Sequence, residues 1–182
     1  MMHMFRKPMV HANMKALWLL SAFALSLTPL RARPHHAPAV QAPTAVAFVK
    51  QLYDEYAWET HASTPPGRAP LFAASDSVLG KYFAPPLVAA ILADRACQAR
   101  VQGECNLDFD PMWNSQDPGG ATVQVSSTGT PTTVEARIHY RYDNMTVVVR
   151  YQLRQTPAGW RVADMGASEW PSLMKLLQRK VP

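Results

Sequence analysis

The chain predicts an α+β fold, with N-terminal helices packed on one face of a curved antiparallel sheet of about four strands and a short C-terminal helix. Three observations carry this. From Thr44 to Cys97, apolar residues recur at three- and four-residue steps. After Asp117 the pattern switches to period two. Turn residues then fall at Asp143-Asn144 and Pro157-Ala158-Gly159, as an antiparallel meander requires.

Thr44 caps a helix running to about Trp58, with Val46, Val49, Tyr53 and Tyr56 as its stripe and Phe48 and Leu52 broadening it. Glu59 to Ser75 reads as a long loop, and His61 within it as solvated. Ser75 caps a short helix, Asp76 to Phe83. Pro86 suits the first turn of the next helix, whose face of Leu87, Val88, Ile91 and Leu92 leads to Cys97. Strands are expected at Ala121 to Ser126, Thr133 to Tyr142, Val147 to Arg154 and Trp160 to Met165. In the second, Val134, Ala136, Ile138, Tyr140 and Tyr142 share one side, while Glu135, Arg137, His139 and Arg141 share the other. Ser168 caps a final helix that buries Leu173, Leu176 and Leu177.

The 182 residues suffice for one domain, at 44–182, with additions before it. The net charge of +5 invites a nucleic-acid reading, but its location opposes one. Arg6, Lys7, Lys15 and Arg31 precede every acidic residue, and without them 14 basic face 13 acidic residues. The excess belongs to the leader and says little about a polyanion partner.

That leader, residues 1–32, reads as a signal peptide. Lys15 precedes the apolar run from Ala16 to Leu27, which Thr28 and Pro29 end, and small residues follow at Ala32 and Ala37. The run falls short of the roughly 18–20 residues that span a bilayer, so no stable anchor is expected after cleavage. Met14 offers a compact alternative start. No cysteine lies near the cleavage region, which removes a lipoprotein anchor. Residues 33–43 form a Pro/Ala-rich lead-in, where His35 and His36 alone make a poor metal site. The expected address is periplasmic or secreted.

Export favours a disulfide, and Cys97 and Cys105 have only each other. A helix joining them would hold their Cα atoms about 12 Å apart at 1.5 Å per residue, too far for a bridge. The helix must therefore stop between them, with Gly103 expected to turn the chain back. No histidine lies close enough in sequence to complete a metal site with them.

Several segments together resemble a known family: FVKQLYDEY on the first helix, KYFAPPL, the cysteine-flanked LDFDPMWNSQD, then GWRVADM and SLMKLL. This order resembles domain-of-unknown-function family 3828, small exported proteins of Gram-negative bacteria, over roughly Thr44 to Leu177. The resemblance implies a cone-shaped, nuclear transport factor 2-like (cystatin-like) fold and an envelope location, and no reaction. Members with a lipid-bearing cysteine differ from this chain, which lacks one in its leader.

Two surfaces carry chemistry. Asp108, Asp110, Asn114, Gln116 and Asp117 cluster beside the cysteines; with Tyr56 and Trp160 they compose a candidate pocket at the mouth of the cone. A carboxylate in an apolar setting there could serve as a base. The competing reading gives Asp110-Pro111 and Asn114 to Asp117 to turns and helix-end amides, and it is preferred. The second surface is one side of the sheet, where Arg137, Arg141, Arg150, Arg154 and Arg161 would project together. Arginine there suits the carboxylates of a protein partner.

The chain shows no G-x-S-x-G, no phosphate-cradling glycine loop and no calcium-loop spacing, so no catalytic residue, cofactor, metal or nucleic acid is assigned. The expected function is a non-catalytic exported binding or accessory protein acting on an envelope partner, in envelope maintenance or toxin neutralisation. The alternative is an isomerase or hydratase with Asp108, Asp110 or Asp117 as base.

Overall fold

A computed structural model describes residues 44–61 and 64–179. The expected signal peptide, the Met14 start, the lead-in with His35 and His36, and the cleavage region lie outside the described residues. Element order is α1 (Ala45–Tyr56), α2 (Asp76–Tyr82), α3 (Pro85–Val101), β1 (Ala121–Ser127), β2 (Thr133–Tyr140), β3 (Thr146–Thr156), β4 (Gly159–Gly166) and α4 (Leu173–Leu177). Short 3-10 turns at Ala57–Thr60 and Leu71–Ala73 lie between α1 and α2. The fold is α+β. Among the described residues no helix is long and apolar enough to cross a membrane.

The caps explain most helix limits. The Thr44 hydroxyl accepts from the Ala47 N–H at 3.1 Å and starts α1. Proline at its first positions starts α3, where no N–H is required. Three helix ends differ from expectation. Gln102, with φ 52° and ψ 40°, takes the left-handed cap that ends α3, and Gly103 does not; a polar non-glycine residue bears that conformation at modest cost. Ser75 stands at the cap position of α2, but its hydroxyl meets that of Ser77 and bonds no backbone N–H. Ser172, rather than Ser168, caps α4 by accepting from the Lys175 N–H.

The sheet runs β1-β2-β3-β4, antiparallel throughout. Period two sends Val134, Ala136 and Ile138 of β2 and Val149, Tyr151 and Leu153 of β3 into the core, and in β4 a register shift lets both Val162 and Met165 join them. Val49, Leu52 and Tyr53 of α1 join this core, as do Leu87 and Ile91 of α3. A bulge at Gln152/Leu153 shifts the β3–β4 register and keeps Leu153 opposite Val162 and Tyr151 opposite Met165. Tyr142 departs from its expected inward place and is 99% exposed. β2 ends at Tyr140, whose N–H donates to the Met145 carbonyl, and Asn144 at φ 57° closes the turn. Arg141 therefore lies in that turn and not on the strand face.

The loop before α2 is less solvated than its composition implies, because Leu71 and Phe72 are buried in the core. At the end of β4, Gly166 is held against the following turn. A Cβ there would come within 2.4 Å of the Pro171 carbonyl oxygen.

Candidate functional site

The Cys97–Cys105 disulfide forms, with Cα atoms 6.1 Å apart. It is held by a residue that the sequence reading passes over. Asp94, 3% exposed, accepts from the Asn106 N–H at 2.8 Å through Oδ1 and from the Gln98 amide at 3.0 Å through Oδ2. The Gln98 amide also donates to the Leu107 carbonyl, and the Asn106 amide to the Leu177 carbonyl. The disulfide loop is thus tied to both α3 and α4.

Beyond the loop, Asp110 and Ser115 form a small two-way backbone bridge, at 2.9 and 3.3 Å. Inside it, Asp110 Oδ1 accepts from the Met112 N–H at 2.7 Å and the Trp113 N–H at 3.3 Å. Asp117 Oδ1 accepts from the Gly119 N–H, and its own N–H donates to the Ser115 hydroxyl. Asn114, at φ 55°, accepts the Trp170 indole N–H. Asp110 and Asp117 therefore serve turns, whereas Asn114 makes a tertiary bond to the Trp170 indole and not to a turn amide.

One carboxylate keeps chemical interest. Among the described residues no hydrogen bond reaches Asp110 Oδ2. Burial, followed by the nearby charge of Glu59, raises the Asp110 pKa to about 7, against the two N–H bonds that lower it. Glu59, which the sequence left in a loop, is also raised, first by burial. Its carboxylate accepts from the Trp113 indole at 2.6 Å and the Leu71 N–H at 2.8 Å. Asp110 and Glu59 line a cleft of about 190 Å³ with Trp58, His61, Gln116 and Pro118. Asp108, Asp110 and Gln116 also line a cleft of about 500 Å³ beside α3.

Tyr56 and Trp160 do not join these clefts. Tyr56 lines one with Arg68 and Lys81, and Trp160 lines another with Val46 and Pro131. The interior between α1 and the sheet is filled by side chains. The Tyr53 hydroxyl donates to the Met112 carbonyl at 2.6 Å, the Tyr151 hydroxyl to that of Tyr53 at 2.8 Å, and the Tyr140 hydroxyl to the Trp113 carbonyl. Tyr53, Met112, Trp113 and Tyr151 are each at most 1% exposed.

Among the described residues the other sheet face exposes Arg137, Arg150, Gln152 and Arg154. Arg150 pairs with Glu135 on the neighbouring strand at 2.6 Å, and Arg154 lies opposite Arg161. Arg161 donates to the carbonyls of Gly80, Ala158 and Trp160. Arg137 and Arg154 are exposed and make no hydrogen bond or ion pair with the described residues. A cleft of about 550 Å³ lies on this face, between Val148, Arg150 and Gln152 of β3 and the segment from Gly166 to Glu169. Four of the five arginines thus share the face by register, and Arg141 stands beyond its end.

No family model and no curated protein matches the chain. One solved structure is similar, a phospholipid-binding protein from Ralstonia solanacearum in complex with a phospholipid. It has 13% sequence identity and a TM-score of 0.43, and the match covers 74% of this chain and 83% of that one.

Proposed function

We propose that the chain is a non-catalytic, exported binding protein whose outer sheet face docks an acidic segment of an envelope protein. The filled interior carries this reading. Tyr53, Tyr151, Trp113 and Met112 are buried in that interior, where the Tyr151 hydroxyl donates to that of Tyr53 and Tyr53 donates to the Met112 carbonyl. Binding then falls to the outside, where a chain of net +1 beyond its leader concentrates Arg137, Arg150, Arg154 and Arg161. Guanidinium groups at fixed strand spacing suit carboxylates of an acidic segment. Export accords with the disulfide and the leader, and the family resemblance belongs to the same reading. Envelope maintenance and neutralisation of a toxin both fit such a partner.

Labelled poly-L-glutamate serves as the probe. Its binding should weaken with added salt, and the double reversal Arg137→Glu/Arg154→Glu should weaken it about tenfold or more. Both side chains are exposed, so the fold should tolerate the change. Undiminished binding by the folded variant contradicts the reading.

A second reading rests on the uncommitted oxygen of Asp110 in its cleft with Glu59. In it, Asp110 is the base of an isomerase or hydratase. A benzisoxazole, which opens on proton abstraction, tests it. Turnover that rises through pH 7 and is lost in Asp110→Asn would favour that reading, and the absence of turnover would oppose it.

A further inference from the structure

The two edges of the sheet differ. The edge of β4 is covered where Phe83 bridges Val162 and the Ala84 N–H donates to the Val162 carbonyl at 2.8 Å. β1 pairs with β2 along all 7 of its residues. On its other side, residues 122–127 make no backbone hydrogen bond among the described residues.

Open edges are templates for pairing, and proteins commonly blunt them with lysine, proline or a bulge. The strand ATVQVSS carries no charge and no proline, and its register with β2 is unbroken. Its apolar cover is incomplete as well. The inward Val123 and Val125 are half-buried, whereas Val134, Ala136 and Ile138 beside them are at most 1% exposed. Among the described residues β1 therefore lacks a hydrogen-bonded neighbour on its outer edge, and α1 and the core cover its valines only in part.

We infer that a second copy of this chain supplies that neighbour, pairing β1 with β1 antiparallel about a two-fold axis at Gln124. The strand complements itself in this register. Val123 of each copy faces Val125 of the other on the core side. Gln124 faces its counterpart on the outer side, with Thr122 opposite Ser126. Antiparallel pairing keeps inward residues against inward ones. A neutral strand brings no like charges together across the axis, and a charged foreign strand would find no counter-charge on β1. The contact is isologous and closes through its own two-fold symmetry. Arg137 lies beside Gln124 in the β1–β2 register. The two-fold thus extends the arginine face across both copies, although the pairing does not depend on what that face binds.

Sedimentation of the full chain over a concentration series tests the inference. The wild type should form a dimer. Gln124 is exposed, so Gln124→Lys and Gln124→Glu should each fold and raise the dimer dissociation constant about five- to tenfold through like charges at the axis. Their equimolar mixture should restore the dimer. Gln124→Cys should cross-link to itself on oxidation more readily than Ser126→Cys, which faces Thr122. A wild type that stays monomeric at every concentration overturns the inference. So does a dimer unmoved by Gln124→Lys, or one in which Ser126→Cys links as readily as Gln124→Cys.

Discussion

The Tyr151 hydroxyl donates a 2.8 Å hydrogen bond to the Tyr53 hydroxyl, joining β3 to α1 across 98 residues of sequence. Tyr53 donates in turn to the Met112 carbonyl, and its ring meets those of Trp113 and Tyr151 edge-on at 5.1 and 6.1 Å. Edge-on aromatic contacts of this kind add to the effect of burial alone. The relay fills the interior and fixes the turn that follows the disulfide.

Tyr53→Phe should destabilise the fold more than Tyr151→Phe. Removing the Tyr53 hydroxyl leaves two buried partners unsatisfied, at about 2–3 kcal/mol. Removing that of Tyr151 leaves Tyr53 still donating to Met112, and should cost about 1 kcal/mol. Urea titrations measure both. Equal costs would show that the relay does not act through Tyr53.

The Asp110 carboxyl gives a pH dependence of definite sign. Its pKa in the fold, about 7, lies above the ordinary value of 3.8, so the protonated form favours folding. That contribution is fully present below about pH 4 and is lost as pH rises through 7. Asp110→Asn, neutral throughout, should flatten the change in stability between pH 4 and 7.5 by about 3–4 kcal/mol. A residual slope of the same sign should remain from Glu59, whose pKa is also raised by burial. Identical pH profiles for the two proteins would refute the assignment.

Asp94 and the disulfide act on one loop. Asp94→Ala strips the Asn106 N–H of its acceptor and should cost about 1–3 kcal/mol. The double change Cys97→Ala/Cys105→Ala should cost about 2–3 kcal/mol. Combined, they should cost less than their sum, because a loop released by one loses the contacts of the other. Strict additivity in denaturation would show two independent anchors.

Periodicity makes most of this fold legible. The stripe of α1, the alternation of β2 and β3, and the turn at Asp143-Asn144 all follow from side-chain spacing. Where spacing runs out, partners decide. Nothing local to Ser168 or Ser172 distinguishes them, yet Ser172 also donates to Asp164 Oδ2, whose Oδ1 accepts from the Met174 N–H, so the cap forms there. Tyr142 continues the alternation, but β2 stops where Tyr140 reaches the Trp113 carbonyl. Glu59 reads as a loop residue because its partners, Trp113 and Leu71, lie 54 and 12 residues away. Asp94 looks like a solvent-facing helical carboxylate until the disulfide folds Asn106 back onto it. In the candidate pocket, the local Asx turns are readable from composition. The pairing of Asp110 with Glu59 comes from tertiary packing alone.

The central claim is that binding belongs to the outer sheet face and not to the clefts around Asp110. Amide chemical-shift mapping of the labelled protein during titration with poly-L-glutamate tests it most directly. Shifts should run along Val148 to Arg154, at Arg137 and between Gly166 and Glu169, with Glu59, Asp110 and Gln116 unmoved. Shifts confined to Glu59, Asp110 and Gln116 would contradict it.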